Sequence, residues 1–325
     1  MKAVLTHGFG DVSVFFLGDV PSPSLGRSEV RIRVRASGVN RADTLQRRGL
    51  YPAPAGVSTV LGMEVAGDIL EVGEDAHGFR LGDRVMALLP GGGYAEQTVV
   101  DAELVMPLPE RFSYAEGAAI PEVFITAHHN LVTLGGMAPS SRVLIHAGAS
   151  GVGTAGIQLA RQMAREIWVT VGSPEKAAAC KNLGAKTILY KSEDFSEIIR
   201  RDAIDRAVDL ILDPVGANYL AQNLSCLAMD GRLVLIGLMG GKETKLDLSL
   251  VLRNRIQLLG STLRGLSLAR KRAAVRRFQE DCLALLAQGV VLPLVDRCFP
   301  ASEVALSHQR MEENLNIGKL ILLWD

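Results

Sequence analysis

Hydrophobic and polar positions alternate early in the chain. Val30, Ile32 and Val34 are interleaved with Arg31, Arg33 and Arg35. That period of two predicts a strand with one buried face and a solvated row of guanidinium groups. Glycine and proline then recur through residues 49–62 and 88–94, punctuating short strands in the manner of a compact, barrel-like β-domain. From about Pro121 the rhythm changes. Apolar runs at 143–145, 167–171, 187–190, 208–212, 233–236 and 256–259 are separated by helical patterns such as Ile157, Leu159, Ala160 and Met163, and Pro174–Leu183. Fully apolar strands alternating with helices predict a doubly wound parallel sheet covered on both faces. A helix over 267–288 and extended residues 319–324 follow without a third core, so this tail is expected to return to the first domain. The expected boundaries are 1–120, 121–260 and 261–325.

Length agrees with two domains, since 325 residues exceed what one hydrophobic core usually serves. Lys plus Arg and Asp plus Glu both total 35, and this neutrality argues against nucleic acid as a partner. Aromatic residues, at 5%, are too sparse for base-stacking platforms. The basic cluster Arg270, Lys271, Arg272, Arg276 and Arg277 is expected to be a solvated helix face. No apolar run approaches the ~20 residues of a membrane span, and the first residues lack the apolar region of a secretory signal. Four separated cysteines, at 180, 226, 282 and 298, suggest neither a disulfide framework nor a zinc knuckle. A cytoplasmic location is the expectation.

The strongest motif is Gly148-Ala149-Ser150-Gly151-Val152-Gly153-Thr154-Ala155-Gly156, directly after a predicted strand. Gly151, Gly153 and Gly156 satisfy the dinucleotide pattern, in which glycines permit the turn, the approach of pyrophosphate and close helix packing. The helix N-terminus offers unpaired N–H groups to phosphate. At the end of the next strand, where a carboxylate would bond a ribose 2′-hydroxyl, the chain reads Gly172-Ser173, with no acid before Glu175. Gly172 removes repulsion toward a 2′-phosphate, Ser173 can donate to it, Lys176 can neutralise it, and Tyr190 can add a hydroxyl. NADPH is the expected cofactor.

The chain resembles the medium-chain dehydrogenases/reductases, most of all their zinc-free quinone oxidoreductase branch, the zeta-crystallin-like group. The matching stretches are Met1–Val4, Gly38–Asp43, Gly62–Glu64, Gly82–Val85, Ala118–Pro121, Thr126-Ala127, the glycine loop with Gln158, and Asn316–Lys319. Asn40–Asp43 with Tyr51, Leu88–Gly93 and Gly237–Gly241 are similar to the tumour-suppressor-inducible subgroup. The resemblance implies a chaperonin-10-like catalytic domain built from both chain ends around a Rossmann domain. It implies an NADPH-dependent reductase of quinones or activated alkenes, usually a homodimer, which here would pair through the apolar edge strand 256–259.

Alcohol dehydrogenases of this superfamily carry cysteine where Asn40 stands and histidine where Met63 stands. An amide and a thioether cannot replace thiolate and imidazole around zinc, so no metal site is expected. The resemblance places Asn40, Asp43, Tyr51 and Thr126 near the nicotinamide. It assigns cofactor contacts to Ala149, Ser150, Gly151, Val152, Gly153, Gly237, Leu238, Met239, Gly240, Ser261, Leu263 and Asn316. Tyr51 either donates to the reduced oxygen or forms an apolar wall. Asn40 can orient substrate or carboxamide, and Asp43 can be a helix cap. His128 and His129 are expected on a helix surface. Two other functions stay open, a 2-enal or enoyl-thioester reductase and a non-catalytic NADPH-binding protein of crystallin type.

Overall fold

The computed structural model describes residues 1–325, Arg206 by its backbone alone. The chain divides into two compact units, Met1–Ile125 with Arg264–Asp325, and Thr126–Leu263.

The first unit is built on a sheet in the order Val295–Pro300, Lys319–Leu323, Glu29–Val39, Glu64–Val72, Arg84–Leu88, Val105–Pro107, with Gln97–Asp101 also pairing Glu29–Val39. The long strand Glu29–Val39 is the hub, because the C-terminal strand joins it antiparallel with Leu320 opposite Val39. Val30, Ile32 and Val34 are buried, as their alternation requires. The arginine row differs from the expected solvated face. Arg31 is buried and bonds Glu71 and the Pro23 carbonyl, Arg35 pairs with Asp68, and Arg33 alone is exposed. Antiparallel pairing sets Arg31 opposite Glu71, so carboxylates on the next strand receive the guanidinium groups.

The returning helix Leu268–Gln288 is capped by Ser267, whose side chain accepts from the Arg270 N–H, and ends at Gly289 with φ 73°. It buries Ala274, Val275, Phe278, Cys282 and Leu286, a helical spacing that gives one apolar stripe. Its basic cluster is largely paired: Arg272 reaches Asp101 and Glu103, Arg276 reaches Glu103, and Arg277 pairs with Asp281.

The second unit is a parallel sheet in the order Lys186–Leu189, Glu166–Val171, Arg142–Ile145, Val208–Asp213, Leu227–Leu235, Gln257–Gly260. In sequence rank this order is 3-2-1-4-5-6, the doubly wound arrangement, in which ligands bind at the carboxyl ends of the strands where the winding reverses. Its strands are near-continuously apolar: Val143, Leu144, Ile145, Val169, Leu210, Ile211 and Leu233 are all buried. Beyond the helix Pro121–His128 the backbone continues as a π-helical turn, His129–Leu134. His128 is buried, which corrects the expectation of a surface histidine. His128 is the last residue of the α-helix, where Val123, Phe124, Ile125, Thr126 and Ala127 are buried too, so the helix end is enclosed on every face and has no outward stripe. Among the described residues no helix is long and apolar enough to cross a membrane.

Candidate active site

In the first unit the site grows from one buried ion pair. The Lys319 ammonium lies 2.6 Å from Glu64 Oε1, and both side chains are almost fully enclosed. Lys319 also donates to the Asn40 side-chain oxygen at 2.7 Å and to the Val39 carbonyl at 2.8 Å. The Asn40 amide donates to Glu64 Oε1 at 2.8 Å, and the Glu122 backbone N–H donates to Glu64 Oε2 at 2.8 Å. Every strong group in the knot is therefore matched, the condition under which a buried pair is tolerated. Gly38 makes room for it, because a Cβ there would overlap Glu64 Oε1 and the Ala118 carbonyl. The Asn40 amide is thus engaged on both of its ends.

Asp43 lies one helical turn along, fully buried. Its carboxylate accepts from the backbone N–H of Asn40 (2.8 Å) and of Gly62 (3.1 Å) and from the Tyr94 hydroxyl (3.3 Å). Tyr94 lies 3.2 Å from His308 Nε2, and Arg47 lies 3.4 Å from His308 Nδ1. A guanidinium only donates, so His308 Nδ1 accepts and Nε2–H points at Tyr94. Burial, with Arg47 and Arg41 nearby, pushes His308 down to about 3, consistent with that neutral ring. Arg47 ends the chain on Glu312 at 2.7 Å. Asp43 thereby positions the Asn40 and Gly62 backbone as the acidic member of a helix cap. Burial raises its carboxyl to about 6 despite those donors.

Tyr51 is half-buried, its ring 5.5 Å from the Arg264 guanidinium carbon. Burial raises its hydroxyl pKa, Arg264 opposes the rise, and Glu122 adds to it. Glu122 itself is pushed up to about 8, first by burial and then by the Glu64 charge. A carboxyl that keeps its proton at neutral pH is a hydrogen-bond donor. Lys271 also feels this group, its ammonium pKa lowered by burial and by Arg264. Asn316, from the expected cofactor set, is buried, and its amide donates to the Gly318 carbonyl at 2.8 Å.

In the second unit the glycine loop leaves the strand Arg142–Ile145 through Ala147, at φ 53°, and enters the helix Gly151–Arg161. Ser150 caps that helix, accepting from the Gly153 N–H at 3.0 Å. A Cβ on Gly153 would overlap the carbonyls of Ala147 and Gly148, so only glycine lets helix and loop close up. Ala149 is buried beside them, and Gly151 and Val152 begin the first turn. At the second strand end, a Cβ on Gly172 would meet the Tyr190 hydroxyl at 3.0 Å. Ser173 caps the helix Pro174–Asn182 by accepting from the Lys176 N–H at 3.4 Å, and it also bonds Glu175, whose pKa is lowered by that contact. A carboxylate therefore sits beside the serine expected to meet a phosphate. Leu238 and Met239 are exposed, whereas Leu263 is buried and the Ser261 N–H donates to the Leu235 carbonyl at 2.9 Å.

A buried polar chain that the motif left unseen supports this face. Thr170 Oγ1 lies 2.9 Å from His146 Nδ1, His146 Nε2 lies 2.7 Å from Asn223 Oδ1, and the Asn223 amide donates to Asp213 at 2.9 Å. Burial holds His146 down at about 4. Asp213 accepts from the N–H groups of Val215 (2.6 Å) and Gly216 (3.1 Å). Gly240 then donates to the Val215 carbonyl at 2.7 Å, and Met239 to that of Pro214 at 3.1 Å. Four polar residues thus shape the loop Gly237–Gly240. Their only trace in the sequence is a polar residue at the end of two apolar strands, His146 and Asp213. Thr126 Oγ1 and Asn130 Oδ1 are buried without a hydrogen-bond partner, and the π-helical turn brings the Asn130 amide to the Thr126 carbonyl at 2.7 Å.

The nucleotide face fits a dinucleotide. It offers a capped helix start, a glycine cradle and orphaned acceptors suited to a carboxamide. The first unit does not fit zinc at the position the resemblance marks. Asn40 and Met63 are poor donors there, and the adjoining Glu64 carboxylate is taken by an ammonium.

A model of the alcohol dehydrogenase GroES-like domain matches residues 26–110, and one described as zinc-binding dehydrogenase matches residues 151–280. The synaptic vesicle membrane protein VAT-1 homolog of Rattus norvegicus is 31% identical over 344 residues, covering 99% of this chain and 84% of that protein. The crystal structure of Escherichia coli quinone oxidoreductase complexed with NADPH superposes with a TM-score of 0.89 at 26% identity, covering 100% of each chain. CurK enoyl reductase gives 0.88 at 28% identity, over 99% of this chain and 98% of that one.

Two outcomes are expected from the first unit. Lys319→Met leaves the Glu64 charge buried and should cost about 3–5 kcal/mol, whereas Glu64→Gln with Lys319→Met should recover at least half of that. Urea denaturation of the wild type, both single variants and the double variant checks it, and strictly additive losses would contradict it. The second outcome concerns pH. A carboxyl raised to about 8 keeps in the folded chain a proton that the unfolded chain sheds from its ordinary 4.5 upward. Its stabilising contribution is complete at low pH and is lost as pH rises toward 8. Denaturation midpoints followed between about pH 5 and pH 9 should therefore fall less steeply for Glu122→Gln than for the wild type.

Proposed function

The chain belongs to the medium-chain dehydrogenase/reductase superfamily of nicotinamide-dependent oxidoreductases, and on that premise we propose that it is a zinc-independent, NADPH-dependent reductase of quinones. The Asn40–Glu64–Lys319 knot carries this reading. Without a Lewis acid the metal route to an alkoxide ready for hydride loss is missing. A quinone needs no such help, because its conjugation spreads the arriving charge. The observations favour no activity on simple alcohols.

NADPH, when bound, supplies the hydride. The protein's own groups do the rest by positioning. The capped N-terminus at Ser150–Gly153 takes pyrophosphate, and Thr126 and Asn130 take the carboxamide. Gly172, Lys176 and Tyr190 form the 2′-phosphate pocket, with Ser173 partly diverted to Glu175. Tyr51 donates a proton to the reduced oxygen, and Glu122 is the nearby protonated carboxyl that can replace it. Asn40 and Asp43 serve as positioning residues.

A homodimer is the proposed assembly. The edge strand Gln257–Gly260 has one unpaired side, and the same unit leaves Met229, Leu248 and Leu252 exposed. An open edge beside apolar side chains favours pairing with a second copy. Light scattering should report a dimer for the wild type and a monomer for Leu252→Glu, and a wild-type monomer at micromolar concentration would contradict the assembly.

Initial rates of NADPH oxidation with 1,4-benzoquinone, a 2-alkenal and a primary alcohol test the reading. Quinone reduction is the expected activity, alkenal reduction alone would replace it by the enoyl-reductase alternative, and NADPH binding without turnover would leave a binding protein. Lys176→Ala should weaken NADPH roughly tenfold to hundredfold with little change for NADH, the effect of losing a charge-assisted contact. Glu175→Gln should strengthen NADPH binding by removing a like charge. Equal losses for both dinucleotides in Lys176→Ala would reject the 2′-phosphate assignment.

A further inference from the structure

Arg264 is an arginine of the first unit whose buried charge is left unbalanced. It is only 6% exposed. Its Nε donates to the Pro90 carbonyl at 2.8 Å, but neither Nη1 nor Nη2 has a hydrogen-bonding partner. A guanidinium stays charged and holds its donors in a planar fork, so four N–H bonds and a full charge are left to be met in a place poor in water. A buried charge without a partner is strongly unfavourable, and a sequence that keeps one has a use for it.

The acids nearby do not meet that charge. Glu122 holds its proton at neutral pH, pushed up by burial and by Glu64. Asp43 is turned to the N–H groups of Asn40 and Gly62 and to Tyr94. Lys271 adds a second cation to the same neighbourhood. The Tyr51 ring lies 5.5 Å from the guanidinium carbon. Gly91 also borders the guanidinium: a Cβ there would sit 3.5 Å from Arg264 Nη2 and 3.0 Å from the Ser58 carbonyl, so glycine lets this loop pack closely beside the fork. Two cations, a protonated acid and a tyrosine around a planar fork make a site for a flat anion with an oxygen at its edge.

We propose that Arg264 holds the oxyanion that forms on the acceptor, and so selects acceptors whose reduced form is a delocalised enolate or phenolate. The proposal deepens the reductase reading and rests on it. In the reaction, hydride adds two electrons and one hydrogen to the conjugated acceptor, and the dinucleotide is left oxidised. The acceptor becomes a monoanion with its charge on oxygen, against the Arg264 fork. One proton, passed from solvent through the Tyr51 hydroxyl, completes the hydroquinone or saturated ketone. Arg264 thus takes the charge-stabilising role that a metal would otherwise have.

p-Nitrophenol is a suitable probe, because it is flat, resembles the phenolate product and turns yellow on ionising. Titrated by absorbance against the full chain, alone and with NADP⁺, it should ionise about one pH unit or more lower when bound to the wild type, as expected beside a fixed cation. Arg264→Gln should abolish the shift and Arg264→Lys should keep part of it. Arg264→Met stands in where the glutamine variant does not fold, as judged by circular dichroism. An equal shift in wild type and neutral variants, or none in the wild type, overturns the proposal. So does a variant that loses NADPH affinity while keeping the nitrophenol shift, which would assign the guanidinium to the dinucleotide. The titration needs no turnover, so a failed reductase reading shows separately, as NADPH oxidation that no quinone or enone stimulates.

Discussion

The catalytic unit depends on the enclosed contact between Glu64 and Lys319. Two opposite charges out of water are tolerable only when every remaining lone pair and proton is matched, and this demand fixes several parts of the chain at once. It needs the C-terminal strand Lys319–Leu323 beside Glu29–Val39, and it needs Glu64 at the head of the next strand. It brings the start of the helix Pro121–His128 within reach of Glu64 Oε2, and it draws in the Asn40 amide between the two charges. The return of the chain end to the first domain is therefore an electrostatic requirement as well as a packing one. Where the superfamily's alcohol dehydrogenases gather a metal, this chain closes its polar groups on each other.

One consequence is a gradient of function around the knot. Residues nearest to it, Asn40 and Asp43, are too fully engaged to do chemistry and instead fix the backbone. In the proposed reaction the chemistry falls one layer out, to Tyr51, Glu122 and Arg264. Glu64 is a reason that Glu122 keeps its proton, and a neutral Glu122 is a reason that Arg264 remains uncompensated. The nucleotide-binding unit follows the same logic with neutral groups. His146, Asn223 and Asp213 pass hydrogen bonds from the core of the sheet to the turn at Val215 and Gly216, which supports the loop Gly237–Gly240.

Much of the fold was legible in the sequence. The alternation at Val30–Arg35, the apolar strands of the second unit and the glycine loop are local signals, and each sits where its periodicity put it. The arginine row was misread because strand alternation reports which face a side chain takes, not what stands across from it. His128 departs from the expected surface position because the helix it ends is enclosed on every face there, and a histidine pair gives no sign of that. From the sequence alone, the glycine loop, Gly172 and Tyr51 can be named as candidates by residue type and position. Glu122, Arg264, Asn130 and the His146 chain carry no such local signal and stand out through burial and through partners as far as 174 positions away. Long-range pairing and burial, rather than motif, make those residues functional candidates.

On the proposed reading, the Glu64–Lys319 ion pair takes the organising place that a metal would have in this unit. Elemental analysis of the purified protein, joined to quinone-dependent NADPH oxidation before and after exhaustive chelation, tests it most directly. The expected result is no stoichiometric zinc and a rate that chelation leaves unchanged. One tightly held zinc per chain, with activity lost on its removal and restored by its return, would contradict it.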